Sequence, residues 1–217
     1  MTAPTMSMNK IIHGAVRRDL ARLKAALAAF TDGDQARAAQ LHKGWVFFDE
    51  ELTRHHEGEH RIAWPALIQV GVEQATLDQW DDEHEALAAA LADGRTAMAA
   101  LAASGSRADA DTAAAAVDRV EQVAGTHLAN EEAVSEPVYA EHHDHPAIKE
   151  MGKKFSRDQP LRTGAEFFAW VTHGASAEEM AALKRDVPGP VLAIVPRLFG
   201  RRYYKEIAPI WATSGSF

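Results

Sequence analysis

The stretch Arg54-His55-His56-Glu57-Gly58-Glu59-His60-Arg61-Ile62-Ala63, with Trp64-Pro65 after it, puts three histidines and two acids where a helical apolar stripe should be buried. Reading back from it, Leu41, Trp45, Phe48, Leu52, His55, Glu59 and Ile62 are separated by alternating steps of four and three. That is the spacing of the packed face of a bundle helix. His55 and Glu59 therefore fall in the buried seam, and His56 and His60 fall about 100° further round. A second copy lies at His127-Leu128-Ala129-Asn130-Glu131, on the stripe Val120, Ala124, His127, Glu131, Val134, Val138. Both copies read His, then Glu four residues on, then Pro six beyond that (Pro65 and Pro137).

Two further helices flank these. One starts near Asn9 with Val16, Leu20, Leu23, Leu27 and Phe30 on one face, and His13 three residues earlier on the same face. The other runs from about Leu77 to Ala103 with Trp80, His84, Leu87, Leu91, Met98 and Leu101. The second helix is expected over about Asp34 to Val70, regular as far as Pro65, and the fourth from near Ala108, capped by Asp109 or Asp111. The loops between them are short, which predicts an all-α, up-down-up-down four-helix bundle over residues 9–142. The order repeats: a helix with one seam histidine, then a helix with His-x-x-x-Glu, twice. Residues 143–217 are broken by His142-His143-Asp144-His145-Pro146 and by Val187-Pro188-Gly189-Pro190. They read as a C-terminal helical extension docked on the bundle, with a dimer-forming arm (a homodimer) as the alternative.

Composition narrows the chemistry. The 217 residues carry 23 basic and 31 acidic side chains, a net charge of −8. This disfavours nucleic acid and anionic membrane as partners. No uninterrupted apolar run reaches transmembrane length, and Met1–Lys10 has no signal-like apolar core, so a cytoplasmic location is expected. There are no cysteines, which excludes disulfides and iron–sulfur clusters. Any bound metal must be held by nitrogen and oxygen.

Buried charge without a partner is costly in a low-dielectric core. A lone histidine on an apolar face is usually a satisfied core residue. Four seam histidines with two glutamates at i+4, in a repeat, would be a severe defect unless bound cations compensated them. Residues at i and i+4 share a helix face about 5–6 Å apart, so each His-x-x-x-Glu can present both side chains to a metal. The ligand set read this way is His13, His55, Glu59, His84, His127 and Glu131. Carboxylate-plus-imidazole donors in a bundle core suit di-iron, with di-manganese as the alternative. His56-x-x-x-His60 is the rival register, but it is not repeated downstream, so His56 and His60 are assigned to the surroundings of the metal. Glu57 is assigned to solvent. Gly58 inside a helix points to close approach by another backbone.

The residues His13, His55-His56-Glu57-Gly58-Glu59, His84 and His127-Leu128-Ala129-Asn130-Glu131-Glu132 together resemble the hemerythrin-like, HHE cation-binding domain proteins of bacterial type, over roughly residues 9–142. The resemblance implies a non-haem di-iron centre, bridged by Glu59 and Glu131 and by an oxo or hydroxo group. One departure stands out. Oxygen-carrying hemerythrins have His-x-x-x-His on the third helix, but here Ala88 follows His84 and Trp80 precedes it. The fifth histidine is absent. An open position, Glu51 or Tyr139 could take its place, although Glu51 in the run Asp49-Glu50-Glu51 reads more simply as an exposed acid. An altered ligand set favours reaction with dioxygen, peroxide or nitric oxide over reversible oxygen carriage. The alternatives are a metal- or redox-sensing regulatory module, a di-iron biosynthetic oxygenase, and a bundle whose metal is purely structural.

Overall fold

A computed structural model describes residues 6–158 and 161–212. All regular structure among them is helical. Helix α1 (Met8–Ala28) is capped by Ser7, whose side chain accepts from the amide of Lys10. Helix α2 (Gln35–Gly58) is capped in the same way by Asp34. It passes without a break into a π-helical turn (Glu59–Ala63) and then into the short α3 (Trp64–Gln69), where Pro65 takes a first-turn position that needs no amide donor. Helix α4 spans Gln74–Ser104 and ends at Gly105, in the left-handed region at φ 63° that suits glycine. Helix α5 spans Arg107–Glu141 with Pro137 inside it. Its cap is Ser106, not the expected Asp109 or Asp111. Asp109 accepts from the Ser106 hydroxyl instead.

Contacts across the helices fix their directions. His13 meets Glu132, while Lys24, eleven residues on, meets Asp118 and Glu121, so α1 and α5 are antiparallel. Asp49 pairs with Arg95 and His60 with Asp81, so α2 and α4 are antiparallel as well. The short connections make α1–α2 and α4–α5 hairpins. The predicted seams form the core: Val16, Leu20, Leu23, Leu27, Leu41, Trp45, Phe48, Leu87, Leu101 and Val120 are all fully or almost fully buried. Each large apolar side chain buried there contributes roughly 1.5–3 kcal/mol. Val134, expected on the α5 seam, is 37% exposed. Helix α4 is long and apolar enough to cross a membrane by length and composition alone. Much of that apolarity is alanine, and Leu77, Leu87, Leu91 and Leu101 are turned into the bundle.

The sequence beyond Glu141 forms more helix than its prolines predict. Helix α6 (Pro146–Asp158) begins at the proline that was expected only to break the chain, which is a favoured first position for a helix. Met151 and Phe155 turn toward α3 and the cluster of Trp64, Leu67 and Trp80. Helices α7 (Leu161–Thr172), α8 (Ala177–Asp186) and α9 (Gly189–Phe199) follow, and the predicted capping box of Ser176 and Glu179 opens α8. This part meets the outer side of α1 through polar anchors. Buried Asp19 accepts from Trp170 Nε1 at 2.8 Å and from Arg22 at 2.8 Å. Arg18 donates to both oxygens of Glu179.

Candidate metal centre

All four long helices deliver side chains to one buried point near the open ends of the two hairpins. Each sequence-predicted ligand is there. His13 Nε2 lies 3.2 Å from His55 Nε2 and 3.2 Å from Glu131 Oε2. His84 Nε2 lies 3.0 Å from His127 Nε2. Glu59 reaches both pairs: its Oε1 is 3.1 Å from His55 Nε2 and its Oε2 is 3.4 Å from His84 Nε2. Glu131 Oε2 is also 3.8 Å from His127 Nε2. The donors thus fall into two groups, His13, His55, Glu59 and Glu131, and His56, Glu59, His84 and His127, with the donor atoms of each within 4.8 Å of one another. Glu59 belongs to both.

His56 is the difference from the sequence reading, which placed it outside the ligands. Its ring stacks on His84 at a centroid distance of 4.0 Å, and its Nε2 is buried with no hydrogen bond. The reason to exclude it is that its register has no copy downstream, where Leu128 stands at the matching position. In the structure, α2 faces α4 closely enough that neighbouring residues 55 and 56 address different donor groups. Glu51 is buried, not exposed, but it is paired with Arg54 at 2.7 Å and is not among the donors. Burial raises its pKa, and Arg54 opposes the rise. Tyr139 packs beside the cluster of Trp64 and Trp80. Burial and the carboxylates of Glu131, Glu59 and Glu136 push its phenol well above the ordinary range. His60 is exposed and pairs with Asp81, and Glu57 is exposed as expected. A Cβ on Gly58 would come within 2.8 Å of the ring of Phe155, so the close neighbour is an aromatic side chain of α6 and not a backbone.

An outer set of carboxylates orients the rings. His13 Nδ1 is 2.9 Å from Glu132 Oε1, and His127 Nδ1 is 3.1 Å from Glu83 Oε2. A carboxylate only accepts, so each Nδ1 carries the proton and each Nε2 lone pair points inward. Asn130 donates to the other oxygen of Glu83 at 2.7 Å, and Asn9 donates to Glu131 Oε1 at 2.8 Å. Asp81 lies 3.9 Å from His84 Nδ1 and accepts from Trp64 Nε1 at 2.9 Å. None of these partners was singled out from sequence. The signal available was an acid directly before His84 and directly after Glu131.

The electrostatics are those of a site built for positive charge. Burial, helped by the neighbouring imidazoles, drives His55 and His56 well below 6.5. Burial and then His127 bring His84 down to about 4. Burial also lowers His127, against the pull of Glu131 and Glu83. His13 is raised, because its carboxylate partners outweigh burial. Burial and the adjacent Glu131 push Glu59 well up. Burial acts on Glu131 the same way, but His13 and the other rings outweigh it and hold that carboxylate low. Neutral imidazoles with inward lone pairs are metal donors. Both oxygens of Glu59, Oε2 of Glu131 and Nε2 of His56 are buried without a hydrogen bond. Leaving such atoms unmet is expensive, and bound cations would meet them. Nitrogens bound side by side at ~2.1 Å from one ion lie about 3 Å apart, the separation seen within each His pair.

The family model of the hemerythrin HHE cation binding domain matches residues 10–137, which takes in every donor named above. No curated protein and no solved structure matches the chain.

Proposed function

The chain belongs to the hemerythrin HHE cation-binding family, and we propose that it holds two iron ions and uses them to bind or react with dioxygen, peroxide or nitric oxide. The observation that carries this reading is the pair of donor groups joined by Glu59, with Glu131 reaching toward histidines of both. In this reading His13 and His55 would hold one ion and His56, His84 and His127 the other, with Glu59 and Glu131 available to both. Manganese suits the same donors less well, because five imidazoles favour the later metals.

Bound iron would supply the redox chemistry and a coordination position for a small ligand. The protein's own residues do the rest. Glu132 and Glu83 hold His13 and His127 in the donor tautomer. Asn9 fixes one oxygen of Glu131 and leaves the other to face the centre. Leu52, Ile62, Leu87 and Leu128 are buried on the helices that carry the donors and keep bulk water away. With His56 as the fifth imidazole, neither Glu51 nor Tyr139 is required as a ligand.

The deciding experiment is anaerobic loading with ferrous iron, metal analysis, and then separate additions of dioxygen, peroxide and nitric oxide followed by absorbance. Two irons per chain and a new charge-transfer band are expected. Fewer than one iron per chain, with no band, would sink the reading. One contact favours redox sensing as a second reading: Phe155 of α6 rests on Gly58, next to Glu59. Proteolysis of α6 that differs between oxidised and reduced protein would support it.

A further inference from the structure

We propose that the cleft between α2 and α4 is the entrance to the centre, and that it admits small uncharged molecules in preference to anions. The proposal rests on the metal-centre reading above. The cleft has a volume of about 270 Å³, and His56 and His84 line it. The other donors are almost completely buried. The side chains of His13, His127 and Glu131 are completely inaccessible and Glu59 is 3% exposed, whereas His84 is 11% exposed. The larger cavity, about 310 Å³ between α3 and α6, is lined by none of the donors. The α2–α4 cleft exists because position 88, one turn after His84, is an exposed alanine with a single methyl group. His56, which lines the same opening, keeps its Nε2 buried behind it without a hydrogen bond. The cleft is large enough to pass a diatomic or a peroxide.

The charges at the mouth set the preference. Glu57, Glu85 and Arg95 line it. Arg95 is committed to Asp49, with Nε 2.6 Å and Nη2 2.7 Å from its two carboxylate oxygens. Its charge is offset there, which leaves two exposed carboxylates to repel an incoming anion. Ala88 and Leu91 line the cleft beside them; low-dielectric walls strengthen such a field, and fields of this kind change association rates by 10- to 1,000-fold. A neutral molecule does not feel it.

The test uses the full chain loaded with iron and two probes of similar size: nitric oxide on the reduced protein and azide on the oxidised protein, with rates from stopped-flow absorbance. Ala88→Leu, at an exposed position outside the ligand set, should slow both probes by about tenfold or more with iron content unchanged. Glu57→Gln with Glu85→Gln should speed azide by about tenfold at low salt and leave nitric oxide within twofold. Azide association should rise with ionic strength in the native chain and lose that dependence in the double variant. An iron-replete Ala88→Leu chain that takes up nitric oxide at the native rate overturns the entrance. An azide rate unchanged in the double variant overturns the charge preference. A native chain that retains no iron overturns the reading of the centre itself, which metal analysis separates from the other two results.

Discussion

His56 and His84 stack with ring centroids 4.0 Å apart and planes 24° from parallel, although they come from different hairpins. The imidazole that His84 meets from its own hairpin is His127 at 3.0 Å, so His56 supplies the third imidazole on that side. His56→Ala should reduce iron from two per chain to about one, because two imidazoles and shared carboxylates remain there while the His13 side is intact. His60→Ala, which removes an exposed ring bound to Asp81, should leave iron content unchanged. Metal analysis of the two variants side by side checks this, and equal losses in both would refute the assignment of His56.

Glu83 offers a test of ring orientation without removal of a ligand. Glu83→Gln replaces an acceptor of the His127 Nδ1 proton with an amide that can present a donor. Loss of such an outer partner costs about 10- to 100-fold in metal affinity. Competition against a chelator should show a drop of that size. An affinity within twofold of the native value would mean that Glu83 has no part in holding the ring.

Metal should also hold the bundle together. Saturation at about 1,000 times the dissociation constant stabilises a folded protein by about 4 kcal/mol. For a domain of this size that corresponds to roughly 8–16 °C in Tm. Chelation should therefore lower the melting temperature by about that amount, and scanning calorimetry before and after chelator treatment gives the comparison.

The metal-free protein should be sensitive to acid. His55, His56 and His84 are all shifted downward, His84 from 6.5 to about 4, with burial as the first cause. Between these values the unfolded chain binds protons that the folded chain refuses, so stability rises with pH and is lost as pH falls below about 6.5. Each such histidine contributes on the order of 1.4 kcal/mol per pH unit over its window. His13 and Glu59 are both shifted upward and oppose the trend, so the net slope is what the three lowered imidazoles leave over. Urea midpoints of the chelated protein should fall clearly from pH 7.5 to pH 5.5, and a flat profile would contradict the burial of neutral imidazoles.

Away from the centre, Gly94 lies against the fully buried Trp45, and a Cβ there would press directly into the indole ring. Alanine is favoured over glycine in a helix by about 1 kcal/mol, but overpacking a rigid core costs about 1–3 kcal/mol. Gly94→Ala should therefore lower Tm by several degrees while leaving iron stoichiometry intact.

The seams were legible in the sequence because bundle packing imposes a strict alternation of three and four, which Leu41 through Ile62 and Val16 through Phe30 obey. The same alternation foretold that His13, His55, Glu59, His84, His127 and Glu131 come together in the core. His56 was not legible, because its register has no copy downstream, where Leu128 takes the matching position, whereas two helices in close contact let adjacent residues 55 and 56 address different donor groups. Glu83 and Glu132 escaped because a carboxylate on a half-buried flank looks like any surface acid until the histidine it orients is placed. Helix α6 escaped because Pro146 was read as a terminator when it stands at a helix start. The spacing of Ile148, Met151 and Phe155 carried the missing signal.

The division of donors between the hairpins has a consequence for assembly. His13 and His55 lie at one hairpin's open end, His84 and His127 at the other's, and each donor group needs a side chain from across the gap: Glu131 for the first, His56 and Glu59 for the second. A lone hairpin can offer an ion only an incomplete set. If the two groups hold ions, their capture would be a late folding event that follows the docking of hairpin on hairpin, and the rate of iron uptake by the refolding chain would serve as a clock for that docking.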